Sequence, residues 1–500
     1  MRKINFFYFI KIKNIYYIFS IFFKYIPISH WVLIAFLSVL LIIPVWIVKY
    51  NVMVDLPLNL ARVNIFRYLN NPIYNYNEYF FVLWHLRPYI FFDIFTYIFS
   101  FIFGVFTSGK IVISIYIVLF FLSNYLLIRS INSYILPFIF WPFLFVYNWW
   151  YSVGSINFLM GLTFGMFFIS YINSSHKTNL KFYIVILIFL FVQFMCHPIA
   201  WLISTIIVIP LLINKINISQ KLKIILFSIF PLFILTSLIF THIVFNQPYN
   251  FKEHLGRLNW LLHDFYPTIE PKIYKISLFF AFLIWILVKK NFLNNIYLPL
   301  LLILVYFFMP SNINVSGHNE LRVATFFLTL IPFFAGGIIK SKKTITLTTI
   351  VFIGCGFAIY FFHISKQLYY KPFYQEIESA SRLVKSGSTL RPLLTFEGMN
   401  IEHAYAYITI FKGGFNPFIP HTFFHGISFK NKISENNILY DKIQPQYKNT
   451  YDYILQYTKF YSSNIPSDTI LSWGYDIIYK GKYINLYEKK IKERIILFND

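Results

Sequence analysis

The sequence predicts a polytopic α-helical membrane protein, with about 11 transmembrane helices and a C-terminal extracytoplasmic domain of α/β type. Three observations predict it. The 500 residues are 58% hydrophobic and 12% charged, with a mean hydropathy of +0.61, whereas a soluble domain carries about twice that charge. Charge-free apolar runs recur at the length a bilayer requires, roughly 17 to 25 residues per helix. Lysines gather in alternate loops, the pattern of cytoplasmic loops in a multi-span chain.

Taken in order, residues 1–30 mix Lys3, Lys11, Lys13 and Lys24 with aromatics and carry no small-residue cleavage site, so they read as a retained cytoplasmic, amphipathic segment. The first span is Trp31 to Val48. Basic residues precede it, so Asp55 emerges on the far side. The long outer loop 49–88 follows, in which Leu56, Leu60, Val63, Phe66 and Leu69 recur at helical spacing and predict a short helix along the membrane surface. Further apolar stretches are Tyr89 to Phe106, Ile111 to Ile128, Ile135 to Tyr147, Ile156 to Ile172, Phe182 to Cys196, Ile199 to Ile213, Ile224 to Phe245, Ile273 to Val288, Ile296 to Met309, Val323 to Ile339 and Thr344 to Phe362.

Lys177 and Lys181, then Lys215, Lys221 and Lys223, then Lys289 and Lys290, then Lys340, Lys342 and Lys343 mark the cytoplasmic loops. Asn148 to Ser155, His197-Pro198, Asn246 to Lys272, Ser311 to Arg322 and the tail then face outward. This creates a parity problem. Asp55 and Asn148 share a side only if an even number of crossings separates them, yet three apolar stretches intervene. The third contains Pro137 and Pro142 and reads as broken, but Tyr89 to Phe106 is an equal candidate for the odd one.

After the transmembrane domain, residues 31–363, the segment 364–500 alternates short apolar runs with Gly, Pro, Asn and charge, and is long enough to bury its own core. Phe373 to Lys385 reads as an amphipathic helix. Pro392 to Phe396, Tyr451 to Gln456, Thr469 to Trp473 and Tyr483 to Tyr487 read as strands.

The net charge of +24 fits cytoplasmic loops better than nucleic-acid binding, for which no groove-reading basic cluster exists. Cys196 and Cys355 lie inside apolar runs and support neither a disulfide framework nor a zinc cluster. No Gly-rich phosphate loop, G-x-S-x-G elbow or H-E-x-x-H spacing occurs. No cofactor is predicted, and a divalent metal has little support.

The outer face gathers the polar candidates. Asp55, Asn59, Arg62, His85 and Arg87 come from the first loop, His197 from a helical turn, Arg257 from a later loop, and His318, Glu320 and Arg322 from the approach to a late span. Charge near hydrocarbon is costly and marks functional sites. Such a set supplies a base, phosphate-binding cations and hydrogen-bond donors. Structural readings stand beside these. Asp55 before Pro57 suits a helix cap, Asp93 suits a pair with Arg87, His197-Pro198 suits a turn, and Glu320 with Arg322 suits an interfacial ion pair.

The run Asp55-Leu56-Pro57-Leu58-Asn59-Leu60-Ala61-Arg62, with the Asn148 to Asn157 stretch and His197-Pro198 behind it, resembles the C-type superfamily of integral-membrane glycosyltransferases (GT-C), in a bacterial branch. The likeness covers the span region in layout and the first loop in motif. It implies a cytoplasmic-membrane enzyme that transfers a sugar from a polyprenyl-phosphate donor to a glycan, lipid or protein acceptor on the extracytoplasmic side. The early loop aspartate of that family, base or acceptor-binding residue, corresponds to Asp55, and Arg62, Arg257 and Arg322 would hold the lipid phosphate. Asn148 to Ser155 lacks the second acidic residue of several relatives, so their metal dependence does not carry over. Two other classes remain open: a transporter or flippase for a lipid-linked or anionic solute, and an assembly protein whose working part is the C-terminal domain.

Overall fold

The computed structural model describes residues 28–82, 87–131, 136–175, 179–215, 302, 304–306, 319–330, 342–393, 402–418, 427–429, 450–459 and 465–490. They form a mostly helical body with a small mixed sheet in the C-terminal region. Among the described residues four helices are long and apolar enough to cross a membrane: Ile28–Trp46, Phe91–Arg129, Ile156–Ser174 and Thr349–Leu383. The stretches Ile224 to Phe245 and Ile273 to Val288 lie outside the described residues.

Helix α1 (Ile28–Trp46) is apolar on every face. Ile34, Leu37, Leu41 and Val45 are buried, while Ile28, Val32, Phe36, Val39, Ile43 and Trp46 form an exposed stripe. A helix apolar all round requires protein on one side and hydrocarbon on the other. The chain then extends to α2 (Leu56–Tyr68), a short α3 (Tyr76–Tyr79) and β1 (Phe80–Val82).

Helix α4 (Phe91–Arg129) bends at Gly104, whose φ of 74° and ψ of 164° are non-helical. Beyond the bend it runs antiparallel to α1: Trp46 Nε1 donates to Ser114 Oγ at 3.0 Å, Lys110 donates to the Val48 carbonyl, and His30 Nδ1 lies 2.9 Å from the Tyr125 hydroxyl. Phe91 to Phe103 stays at the Asp55 end of the bundle throughout. The amide of Phe92 donates to Asn157 Oδ1 at 2.8 Å, and Arg67 of α2 donates to the Ser100 carbonyl. At ~1.5 Å per residue this part covers about 20 Å, short of a ~30 Å hydrocarbon core.

A 3₁₀ turn (Leu136–Phe140) and α5 (Trp141–Phe145) make the return. Phe138 and Trp141 meet Phe352, Phe143 meets Phe357, and Tyr147 stacks on His363, all on one long helix. The irregular segment thus follows that helix back to the Asp55 end. Tyr89 to Phe106 therefore lies beside α2 and Asn157, and the part of α4 beyond Gly104 with the return through α5 stands between Asp55 and Asn148. Proline explains the broken pass, because Pro142 stands at the first turn of α5 and cannot continue a preceding ladder.

Helices α6 (Trp149–Val153), α7 (Ile156–Ser174), α8 (Leu180–Cys196) and α9 (Pro198–Lys215) follow, then α10 (Asn319–Thr329) and the long α11 (Lys342–Leu383). Phe373 to Lys385, read from the sequence as a separate amphipathic helix, is instead the end of α11, which stops at Leu383.

The C-terminal region contains β2 (Leu390–Leu393), a 3₁₀ turn (Glu402–Tyr405), α12 (Ala406–Lys412), β3 (Ile427–Phe429), β4 (Tyr453–Tyr457), α13 (Ser467–Ser472), β5 (Tyr475–Lys480) and β6 (Ile484–Lys489). The sheet order is β2-β4-β6-β5, with β2 parallel to β4 and the other pairs antiparallel. Pro392 is tolerated because β2 is an edge strand. The expected strand Thr469 to Trp473 is instead helical: Pro466 caps it and Asp468 sits in its first turn, both helix-start signals.

The C-terminal region docks on the first loop. β1 pairs with β3, Phe80 opposite Phe429. Helix α2, expected on the membrane surface, lies between α4 and α12, which explains why its polar Arg62 and Asn64 are buried. Asn64 Nδ2 donates to the Tyr76 hydroxyl at 2.8 Å and the Ile410 carbonyl at 3.2 Å, and the Tyr76 hydroxyl donates to the Thr409 carbonyl at 2.7 Å. Asn64→Leu leaves buried acceptors unpaired at a cost of about 2 kcal/mol. The expected outcome is a lower thermal midpoint with faster proteolysis of residues 402–490, and unchanged proteolysis would show that this junction does not hold the region in place.

Candidate functional site

The site begins with backbone pairing. The amide of Val54 donates to the Ser152 carbonyl at 3.1 Å and that of Asp55 to the Val153 carbonyl at 2.7 Å. Asn148 caps α6, its side-chain oxygen accepting from the Tyr151 amide at 3.1 Å. Gly154 ends α6 with φ +86°, and a Cβ there would lie 2.9 Å from the Leu56 nitrogen and 3.2 Å from the Asp55 nitrogen. Only glycine permits both the left-handed turn and this approach. The Asn148 to Ser155 stretch and Asp55 therefore form one surface.

Asp55 occupies the residue before α2, with Pro57 in the first turn, as the capping reading requires. Its side chain nevertheless makes no capping bond. The carboxylate instead faces His403 of the C-terminal region, with Oδ1 3.7 Å from Nε2, and retains 39% side-chain exposure. Water reaches it inside a recess walled by protein. Burial raises its pKa to about 6, against the opposing pull of Arg322 first and Arg62 second. His403 is pushed down to about 3 by burial, so the contact is between a carboxyl group and a neutral imidazole. The other ring nitrogen of His403 shares a 2.9 Å hydrogen bond with the Tyr405 hydroxyl.

Behind Asp55 lies a buried ion cluster. Arg62 grips Asp93 with two hydrogen bonds, Nε to Oδ2 at 2.9 Å and Nη2 to Oδ1 at 2.7 Å. Arg87 approaches the same carboxylate at 3.6 Å. The pair expected between Asp93 and Arg87 thus exists, but Arg62 is the closer partner. Arg62 Nη2 also donates to Asn59 Oδ1 at 3.1 Å, and Asn59 Nδ2 donates to the Gly154 carbonyl at 3.4 Å. Arg62 acts on Asp55 through its field, and Asn59 donates its backbone amide to the Asp55 carbonyl at 2.9 Å, so neither side chain bonds the carboxylate.

Arg322 arrives from α10. Its guanidinium lies 4.1 Å from the centre of the Trp150 ring and 5.5 Å from that of Phe158, in cation–π geometry. His197 sits between α8 and α9, at the turn its proline predicts, and is 1% exposed. Its Nδ1 accepts from the Ile199 amide at 3.1 Å, which places the proton of the neutral ring on Nε2. That atom has no hydrogen-bond partner among the described residues. Burial first, then Arg322, hold His197 below its ordinary pKa.

Arg322 thus acts electrostatically on both Asp55 and His197, and Arg62, Asn59 and Arg87 belong to the hydrogen-bonded and ionic cluster behind Asp55. His85, Arg257 and His318 lie outside the described residues, as does the side chain of Glu320. Among the described residues no group of three His, Cys, Asp or Glu side chains could hold a metal ion. His403 is the residue that sequence reasoning missed. The one available signal was the lysine pattern, which put the tail on the same side as Asp55.

No family model, curated protein or solved structure matches the chain.

A carboxyl group that ionises near neutrality, a stacked cation and a buried N–H donor can together accept a proton and hold an anion. The geometry depends on the cluster behind them. Asp93→Asn strands two buried guanidinium groups and is expected to cost about 3 to 5 kcal/mol, read as a fall in the thermal midpoint. Arg62→Met in the same background should recover part of the loss, because it removes one stranded charge. A midpoint unaltered by Asp93→Asn would exclude the cluster as a support.

Proposed function

We propose that the chain is a bacterial membrane glycosyltransferase of the GT-C type, taking a sugar from a polyprenyl-phosphate carrier to an envelope glycan, lipid or protein. The observation that carries this reading is Asp55: a recessed carboxylate with pKa about 6, without a hydrogen bond among the described residues and in the field of Arg322. The accompanying topology has about eleven crossings, a cytoplasmic N-terminus and an extracytoplasmic C-terminal region, so that the Asp55 end faces away from the cytoplasm.

In the proposed step the acceptor hydroxyl gives its proton to Asp55 while its oxygen bonds to the anomeric carbon. The bond from that carbon to the phosphate oxygen breaks, and its electron pair leaves on the polyprenyl phosphate. Arg322 balances the negative charge that gathers there. His197 offers its Nε2–H to the phosphate or the sugar. Arg257, His318, Glu320 and His85 belong to the same outer loops and are further candidates for carrier or sugar binding.

Asp55→Asn in reconstituted full-length protein is expected to lower transfer from a labelled polyprenyl-phosphate sugar by roughly 10²- to 10⁴-fold, the usual share of a general base. Mass analysis of envelope glycans with and without the protein would identify the product. Full transfer by the variant would end the assignment, and movement of intact carrier across liposomes without a product would make the protein a flippase.

The pH dependence follows from the raised pKa. The active form is ionised, so transfer should rise as pH increases through about 6. Stability runs the other way. Between the ordinary carboxylate value of 3.8 and about 6 Asp55 is more protonated in the folded state than in the unfolded one, so its contribution to stability falls as pH rises across that window. Buried, neutral His403 and His197 contribute the opposite slope over the same range, so the Asp55 contribution is read as a difference: the stability of the native protein relative to Asp55→Asn should fall from pH 4 to 7 in thermal unfolding, and a difference that does not change with pH would place Asp55 in an ordinary solvated setting.

A further inference from the structure

The bend at Gly104 opens a groove of about 280 Å³ on the flank of the bundle, lined by Lys49, Phe103, Gly104, Val105, Phe106 and Lys110, with Thr107 beside them. It is separate from the Asp55 recess, though at the same end. Its polar wall holds two cations in an otherwise apolar setting. Lys49 donates to Glu378 Oε1 at 2.8 Å, and Lys110 donates to the Val48 carbonyl while lying 5.4 Å from the Trp46 ring centre. Each ammonium group has three donors, so these contacts leave capacity on both.

The groove's surroundings name the class of occupant. Phe101, Ile102 and Phe103 on one side, with Trp46 and Ile47 on the other, are 38–75% exposed. A water-soluble anion has no use for such walls, whereas an amphiphile needs both parts. Glu378 is the nearby acid, and it is balanced by Lys49 and by Arg382 at 3.7 Å, which leaves Lys110 as unmatched positive charge. We propose that this groove binds the phosphate headgroup of an anionic phospholipid, with Lys49 and Lys110 on the phosphate and the acyl chains along the aromatic walls. The proposal does not rest on the reading of Asp55.

The test uses the full-length protein in neutral detergent, titrated with phosphatidylglycerol, phosphatidylcholine or inorganic phosphate and followed by native mass spectrometry. A lysine near a lipid phosphate contributes about fivefold in affinity. Lys49→Gln should therefore weaken phosphatidylglycerol about fivefold and Lys49→Gln with Lys110→Gln roughly 25-fold, while Lys110→Arg retains binding. Phosphatidylcholine should be indifferent to all three. Lys49 is 61% exposed at its side chain, so its substitution leaves the fold intact. Equal phosphatidylglycerol affinity in all variants, or parallel loss of both lipids, would overturn the proposal. Efficient displacement of the lipid by inorganic phosphate would reassign the groove to a free anion and overturn the lipid assignment.

Discussion

A carboxylate removed from water needs compensating charge, and Asp93 obtains it from two directions. With about 3% of its side chain exposed, it accepts both prongs of the Arg62 fork and lies within reach of Arg87. The pairing ties α2 to the first part of α4, and Arg87 brings in the chain segment leading to Tyr89. From there the constraint spreads through hydrogen bonds. Arg62 fixes Asn59, Asn59 reaches the Gly154 carbonyl, and Gly154 abuts the Asp55 amide. Local positive charge remains after Asp93 is satisfied, and it is directed at Asp55.

The two carboxylates thus have opposite tasks set by their partners. Asp93 is saturated by charged donors, which suits a permanent anion that holds helices together. Asp55 makes no such bond, faces a neutral imidazole and has its proton affinity raised by burial. Neutral His197 and His403 matter for the same reason. Two protonated rings would pull the Asp55 pKa down and remove its capacity to take a proton near neutrality. The depth of both rings keeps them uncharged, so the positive field at Asp55 comes from Arg322 first and Arg62 second.

Much of the helical frame was legible from the sequence, because spans and the α2 stripe are local patterns read in windows of one element. α1, α7, α8, α9 and α2 lie within a few residues of their expected bounds. The parity conflict was also visible, but the placement of its stretches was not. Tyr89 to Phe106 is as apolar as a span, and only Phe92 on Asn157 and Arg67 on Ser100 show that it stays at one end. The strand expected at Thr469 failed because a short apolar run with polar flanks suits both states, and Pro466 decided it. For the site, the outer set named Asp55, His197 and Arg322 because the lysine alternation put their loops on one side, and in the structure Arg322 acts electrostatically on the other two. His403 has no local signature. It becomes meaningful only through the docking of α12 on α2, a contact between segments more than three hundred residues apart.

That docking also changes how the role of the C-terminal region can be separated from that of the bundle. Removing everything from Gln367 onward would be a natural way to ask which part does the work. Yet Gln367 Oε1 accepts from the Val52 amide at 2.8 Å, and Glu378 holds both Lys49 at 2.8 Å and the Tyr50 hydroxyl at 2.9 Å. Those residues lead directly into Asp55. A truncation would therefore free the chain segment that presents the carboxylate as well as removing His403, and loss of function would follow whether the bundle or the C-terminal region carried the chemistry. Substitution of His403 alone leaves Gln367 and Glu378 in place, so it separates the two. The C-terminal region is best understood as one wall of the recess, joined to the first loop before it is joined to anything else.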